Sequence, residues 1–242
     1  MATLIPPARY GDGLGRRFAD GILTASQRDA LDEKRQILLT HPLWQGLTTG
    51  TTSRAQLATF ALQDAWLIRE IHRLDGLAIA KAPDATSADY LIRKLTPKAG
   101  ALDSLKAFGK ALSLTEADFD SLEPLAGCTA LTTQFYYQLA RGSFVEVVAA
   151  LSASETIFLE ICGRIEQPLK EVYEFSDDEL AFFSFHEVLE TAEYAINDLL
   201  AHLVTTDAER DAAFAAMNLC YDCELLFYDT VLVHPHEFSS DV

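Results

Sequence analysis

Apolar residues recur at intervals of three and four along nearly the whole chain. Strand-like alternation is scarce, and Gly and Pro fall between the periodic runs rather than inside them. The pattern predicts an all-α chain with helices near 26–40, 54–81, 86–95, 99–113, 116–140, 144–166, 177–204 and 207–233. The breaks are HPLWQGLTTGTTS, KAPDATS, ARGS and EFSDD, where Ser or Asp is available as an N-cap. The first twenty-odd residues lack a clear period and are expected to drape over the surface. There is no internal repeat. A chain of 242 residues, 49% hydrophobic, is long enough to bury one sizeable core, so residues 1–242 are read as a single domain.

The same periodicity shows which carboxylates fall inside an apolar stripe. Asp64 is flanked by Leu57, Phe60, Leu67, Ile68 and Ile71, with Arg69 and Arg73 on the other side. Glu155 is surrounded by Phe144, Val148, Leu151, Phe158, Leu159 and Cys162, with Glu146, Glu160 and Arg164 opposite. Glu224 sits among Met217, Cys220, Phe227, Tyr228 and Val231. An ionised carboxylate in such a place must find a partner, bind a cation or take up a proton. Three of them on different helices predict an internal polar pocket, the usual location of a site in a helical bundle.

The stretch FHEVLETAEYA, 185–195, reads two ways. His186, Glu190 and Glu193 fall on one side of a helix, which suits a metal site, yet they border an apolar arc as any solvated helix edge does.

Charge and cysteine content narrow the function classes. A net charge of −17 and a pI near 4.6, without a basic stripe, argue against nucleic acid and anionic membrane as partners. The N-terminus lacks the basic start and apolar run of a secretory signal, and no apolar stretch approaches the ~20 residues that span a bilayer. A cytoplasmic location is expected. Cys128, Cys162, Cys220 and Cys223 lie in apolar helical patterns and read as reduced, buried thiols; the Cys220-x-x-Cys223 spacing lacks the second pair of a zinc site.

Three segments together resemble the TenA, or thiaminase II, family: HPLWQGLTTGTTSRAQLATFALQDAWLIREIHRLDGLAIAKAPD at 41–84, TALTTQFYYQLARGSFVEVVAALSASETIFLEICGRI at 129–165, and NLCYDCELLFYDT at 218–230. The resemblance covers a little under half the chain and implies a haem-oxygenase-like helical bundle, assembled as a dimer or tetramer. It implies that Asp64, in the Gln-Asp pair, binds the amino group of an aminopyrimidine, and that Glu224 donates and accepts a proton. The family's nucleophilic cysteine is Ser154 here, followed by Glu155, and Leu67, Leu131 and Phe158 occupy positions that are often Tyr. Serine is a far poorer nucleophile than cysteine unless a base activates it. The expected function is therefore hydrolysis of a C–N bond in an aminopyrimidine or related small heteroaromatic amine, by carboxylates and without a cofactor. Glu155 would activate water or balance charge, and Tyr136, Tyr137, Tyr221 and Tyr228 would stack on or bond to the substrate, or serve as core.

Haem-oxygenase-like diiron oxidases are the second resemblance. Glu155 followed by His186, Glu190 and Glu193 is similar in spacing to their later ligand set, and that donor chemistry suits iron or manganese. The earlier ligand helix would need Glu and His, and there only Asp103 and Lys110 are found, with His72 further back. On that alternative the substrate is amino-acid-like or fatty. A third reading is a binding or regulatory protein that has lost the chemistry, against which stands the retention of Asp64 and Glu224 in apolar surroundings.

Overall fold

The computed structural model describes residues 19–95, 100–184 and 198–238. Its described helices are α1 (Ala25–Leu39), α2 (Pro42–Thr49), α3 (Arg54–Lys81), α4 (Ala85–Leu95), α5 (Ala101–Ala111), α6 (Glu116–Asp120), α7 (Ala126–Arg141), α8 (Phe144–Tyr173) and α9 (Asp207–Val233). There is no strand among the described residues. Helical turns at 181–184 and 198–203 belong to the run expected at 177–204, and its centre lies outside the described residues.

Capping explains where the helices start. Ser53 opens α3, Ser143 opens α8 and Thr206 opens α9, each in a reciprocal capping box with Gln56, Glu146 and Glu209. Three expected boundaries are corrected. HPLWQGLTTGTTS holds helix α2: Pro42 sits at its first turn, His41 caps it, and Gly50 ends it at φ 70°. The run expected at 116–140 is split into α6 and α7, with Pro124 in the connection. The helix expected to stop at 166 runs to Tyr173, through Pro168.

Helix α9 is the hub. Its most extensive contacts are with α8 and α7, and α1 lies along its other side. Helix α3 packs on α5 and α7. Seen from the chain, α3, α8 and α9 each contribute one face to a shared core that includes Trp44, Phe60, Phe108, Phe135, Phe182 and Phe227. Gly127 lets α7 touch α9 backbone to backbone, since a Cβ there would stand 2.4 Å from the Leu226 carbonyl oxygen. Among the described residues no helix is long and apolar enough to cross a membrane.

Candidate active site

Helix α3 carries Asp64 into the core, where it is 4% exposed and its Oδ2 has no hydrogen-bond partner among the described residues. Glu224, on α9, is 2% exposed. The Ser154 hydroxyl, from α8, donates to Glu224 Oε1, and the Tyr228 hydroxyl, one turn along α9, also bonds the Glu224 carboxylate. Burial pushes the Asp64 carboxyl up to about 8, with the Glu224 charge adding to the rise. Burial raises Glu224 to about 7 against the pull of its bonds to Ser154 and Tyr228. Among the described residues no cation contributes to either shift. The Glu224 charge thus bears on Asp64 with no cation among the described residues offsetting it, and that arrangement favours a bound cation or a shared proton.

Aromatic rings wall this pair. Phe60, one turn before Asp64, makes edge contact with Trp44 at 5.3 Å, and Trp44 contacts Tyr228 edge-on at 4.9 Å between centroids. Phe158 and Phe227 lie 6.2 and 6.5 Å from Phe60. Trp44 Nε1 is a buried donor without a partner among the described residues. Sequence reasoning missed Trp44 because it fell in an expected break; the Pro at position 42, which favours a first helical turn, was the available signal.

His41 ties the wall together. Its Nδ1 accepts the Leu43 N–H at 3.2 Å, which leaves Nε2 to donate to Asp229 Oδ1 at 3.1 Å. Burial lowers the imidazole pKa in spite of Asp229, in keeping with this neutral tautomer.

The other candidates separate. Glu155 is half-buried rather than enclosed like Asp64 and Glu224, which corrects the expectation of three equivalent carboxylates. Glu160, expected on the polar side, is instead 7% exposed and ion-paired with Arg35 of α1. Arg35 Nε donates to Glu160 Oε2 at 2.7 Å, and Arg164 Nη2 to Oε1 at 2.9 Å. Helix α1 covers that face, which the periodicity of α8 alone does not reveal. Tyr228 stands in the site, and Tyr221 is buried beside Cys220 and the Arg35–Glu160 pair. Tyr136 is committed to Glu70, its hydroxyl 2.5 Å from Oε2. Tyr137 is 58% exposed on the outer face, so its expected substrate role is corrected.

Burial raises the thiol pKa values of Cys128, Cys162 and Cys220 well above the ordinary range and that of Cys223 to about 11, and all four are free. A thiolate nucleophile at neutral pH is therefore disfavoured throughout. His186, Glu190 and Glu193 lie outside the described residues, among which no group of three or more His, Cys, Asp or Glu side chains is disposed to hold a metal.

The described residues form a helical bundle with the carboxylates of Asp64 and Glu224 buried in its core, and the fold is haem-oxygenase-like. The chain belongs to the TENA/THI-4/PQQC family, whose model matches residues 28–232. It is similar to an aminopyrimidine aminohydrolase of Halalkalibacterium halodurans, 23% identical over 161 residues that cover 66% of this chain and 72% of that one. A Bacillus subtilis protein of the same name is 22% identical over 126 residues, 52% of this chain and 53% of its own. Among solved structures, a TenA homologue from Pseudomonas syringae superposes with a TM-score of 0.76 at 12% identity, covering 85% of this chain and 90% of its own. A haem-oxygenase-like domain from Shewanella denitrificans superposes with a TM-score of 0.75 at 15% identity and the same coverage. These superpositions establish the fold.

Proposed function

We propose that the protein hydrolyses a C–N bond of an aminopyrimidine or a closely related small heteroaromatic amine, within the cytoplasm and without a cofactor. The observation that carries this reading is the Oδ2 of Asp64, buried near Glu224 and without a hydrogen-bond partner among the described residues. An aminopyrimidine edge offers an amine donor next to a ring nitrogen. A protonated carboxyl matches it, its carbonyl oxygen accepting from the amine and its hydroxyl donating to the ring nitrogen. With its pKa raised to about 8, Asp64 holds that proton at neutral pH. The two related aminohydrolases support the same assignment.

Glu224 does the proton work. A carboxyl with a pKa of about 7 is populated in both forms near neutrality, as a group that is first base and then acid requires. It takes a proton from water as the water oxygen bonds to carbon, and returns it to the nitrogen as the C–N bond breaks and the amine leaves. Ser154 and Tyr228 hold the carboxylate in position by donating to it. The faces of the ring would rest on Phe60, Phe158 and Phe227.

The test is release of amine from aminopyrimidines carrying an amine substituent, with Asp64→Asn and Glu224→Gln beside the native chain. Glu224→Gln, nearly isosteric, should cut turnover by at least about a hundredfold; Asp64→Asn, whose amide presents the same acceptor and donor as the protonated carboxyl, should leave KM nearly unchanged, whereas Asp64→Leu should raise it. Prior treatment with a chelator should leave the rate unchanged; its loss would revive Glu155, His186, Glu190 and Glu193 as an iron or manganese site. Full turnover by Glu224→Gln would refute the mechanism.

A further inference from the structure

Trp44 stands in α2, a helix fixed at both ends. His41 caps its start, Gly50 closes it, and the Thr52 hydroxyl donates back to the Leu43 carbonyl at 2.8 Å. The indole is 1% exposed and makes edge contact with both Phe60 and Tyr228. Phe60 lies one turn before Asp64 on α3, and Tyr228 one turn after Glu224 on α9, so the indole touches both helices that carry the carboxyl groups. The Tyr228 phenol feels the charge of Glu224 and of Asp64 alike. Trp44 Nε1 nonetheless has no acceptor among the described residues. An indole N–H can only donate, so its burial without an acceptor is costly, and a native core keeps such a group where something supplies the bond. The hydroxyls of Ser154 and Tyr228 are already bonded to Glu224, and Phe60, Phe158 and Phe227 offer no donor.

We propose that Trp44 sets the ring specificity of the site: its indole N–H donates to the substrate ring nitrogen that Asp64 leaves unmatched, so that a diazine such as a pyrimidine is selected over a pyridine. The inference rests on the hydrolase reading and deepens it. Asp64 as a neutral carboxyl satisfies the amino group and the ring nitrogen beside it. In an aminopyrimidine with its second nitrogen across the ring from the amino-bearing carbon, that nitrogen keeps an in-plane lone pair, which loses its water when the ring is buried. The lone pair and the indole N–H each lack a partner alone, and each completes the other. A pyridine presents C–H at that position and leaves the indole donor unpaired. The two rings are nearly equal in size, so packing alone separates them poorly, whereas a donor left without its acceptor discriminates against the wrong ring. Because α2 is capped and the indole is packed on two rings, the donor is in place before substrate arrives.

Titration calorimetry on the full chain tests it, with two inert ligands that carry a methyl group in place of the leaving amine. One is the aminopyrimidine; the other is the aminopyridine in which the nitrogen across the ring is replaced by C–H. Trp44→Phe keeps an aromatic ring and lacks the N–H. Its smaller ring weakens both ligands alike, and its loss of affinity for the pyrimidine should exceed that for the pyridine by about tenfold. Equal losses overturn the assignment and leave the hydrolase reading in place. If neither ligand binds the native chain, the hydrolase reading fails and the assignment falls with it. The native chain supplies a second readout that does not require the variant to fold. Its two tryptophans, Trp44 and Trp66, give two indole N–H signals in nitrogen-15 spectra, told apart with Trp66→Phe. The Trp44 proton should move downfield when the pyrimidine binds and move little with the pyridine. A signal that both ligands displace equally, or that neither displaces, overturns the proposal, because the indole then has its bond from the protein or from the face of a neighbouring ring.

Discussion

Glu160 shows at the scale of one residue how a charge survives in a helical core. It receives Arg35 from α1 and Arg164 from its own helix, and Arg35 also reaches Asp32 at 2.7 Å. Replacing it with Ala removes the buried carboxylate that Arg35 and Arg164 share. Glu160→Ala should lose about 3–5 kcal/mol of stability, read from the shift in urea midpoint; a loss below about 1 kcal/mol would show that the pair is solvated. The contrast with Asp64 is one of legibility. Asp64 and Glu224 were readable because apolar residues three and four positions away surround them on their own helices. Glu160 was not, because its partner comes from another helix, and one helix's period records its own faces but not what packs on them. Tyr137 failed for a related reason: adjacent residues project about 100° apart, so Tyr136 turns inward to Glu70 while its neighbour faces solvent.

At the level of elements, sequence signals did best where caps and apolar period agreed. The expected spans 54–81 and 207–233 coincide with α3 and α9, each opened by a capping box. Proline misled in both directions. Pro42 looked like a break but starts α2, and Pro168 argues for ending a helix that nonetheless continues to Tyr173. The α7–α9 contact depends on a residue that reads as unremarkable in sequence. At Gly127 a Cβ would meet Leu226 O at 2.4 Å and Phe227 Cα at 2.7 Å, both of them backbone. Gly127→Ala should therefore push the helices apart and cost about 1–3 kcal/mol in thermal unfolding. Amine release should fall with it, since Glu224 lies one turn before the contact. Unchanged stability would mean that the helices separate freely.

For the whole molecule, the two buried carboxyl groups of Asp64 and Glu224 shape how stability varies with pH. Both have folded-state pKa values, about 8 and about 7, above the roughly 4 of an exposed carboxyl. Between these limits the folded protein binds more protons than the unfolded chain. The stability contributed by this pair is complete below about pH 4, falls as the pH rises and is gone above about pH 8. Asp64→Asn, which cannot ionise, should melt higher than the native chain at alkaline pH, the gap closing toward pH 4 in thermal scans. Parallel curves for the two proteins would refute the linkage.

The lone Oδ2 of Asp64 has a consequence for the protein's lifetime. A ligand that supplies the missing bond acts only on the folded form, so it lowers the fraction of chains open to proteolysis at any moment. Substrate would act as the protein's own stabilising chaperone, and cellular abundance would track substrate supply without any change in synthesis.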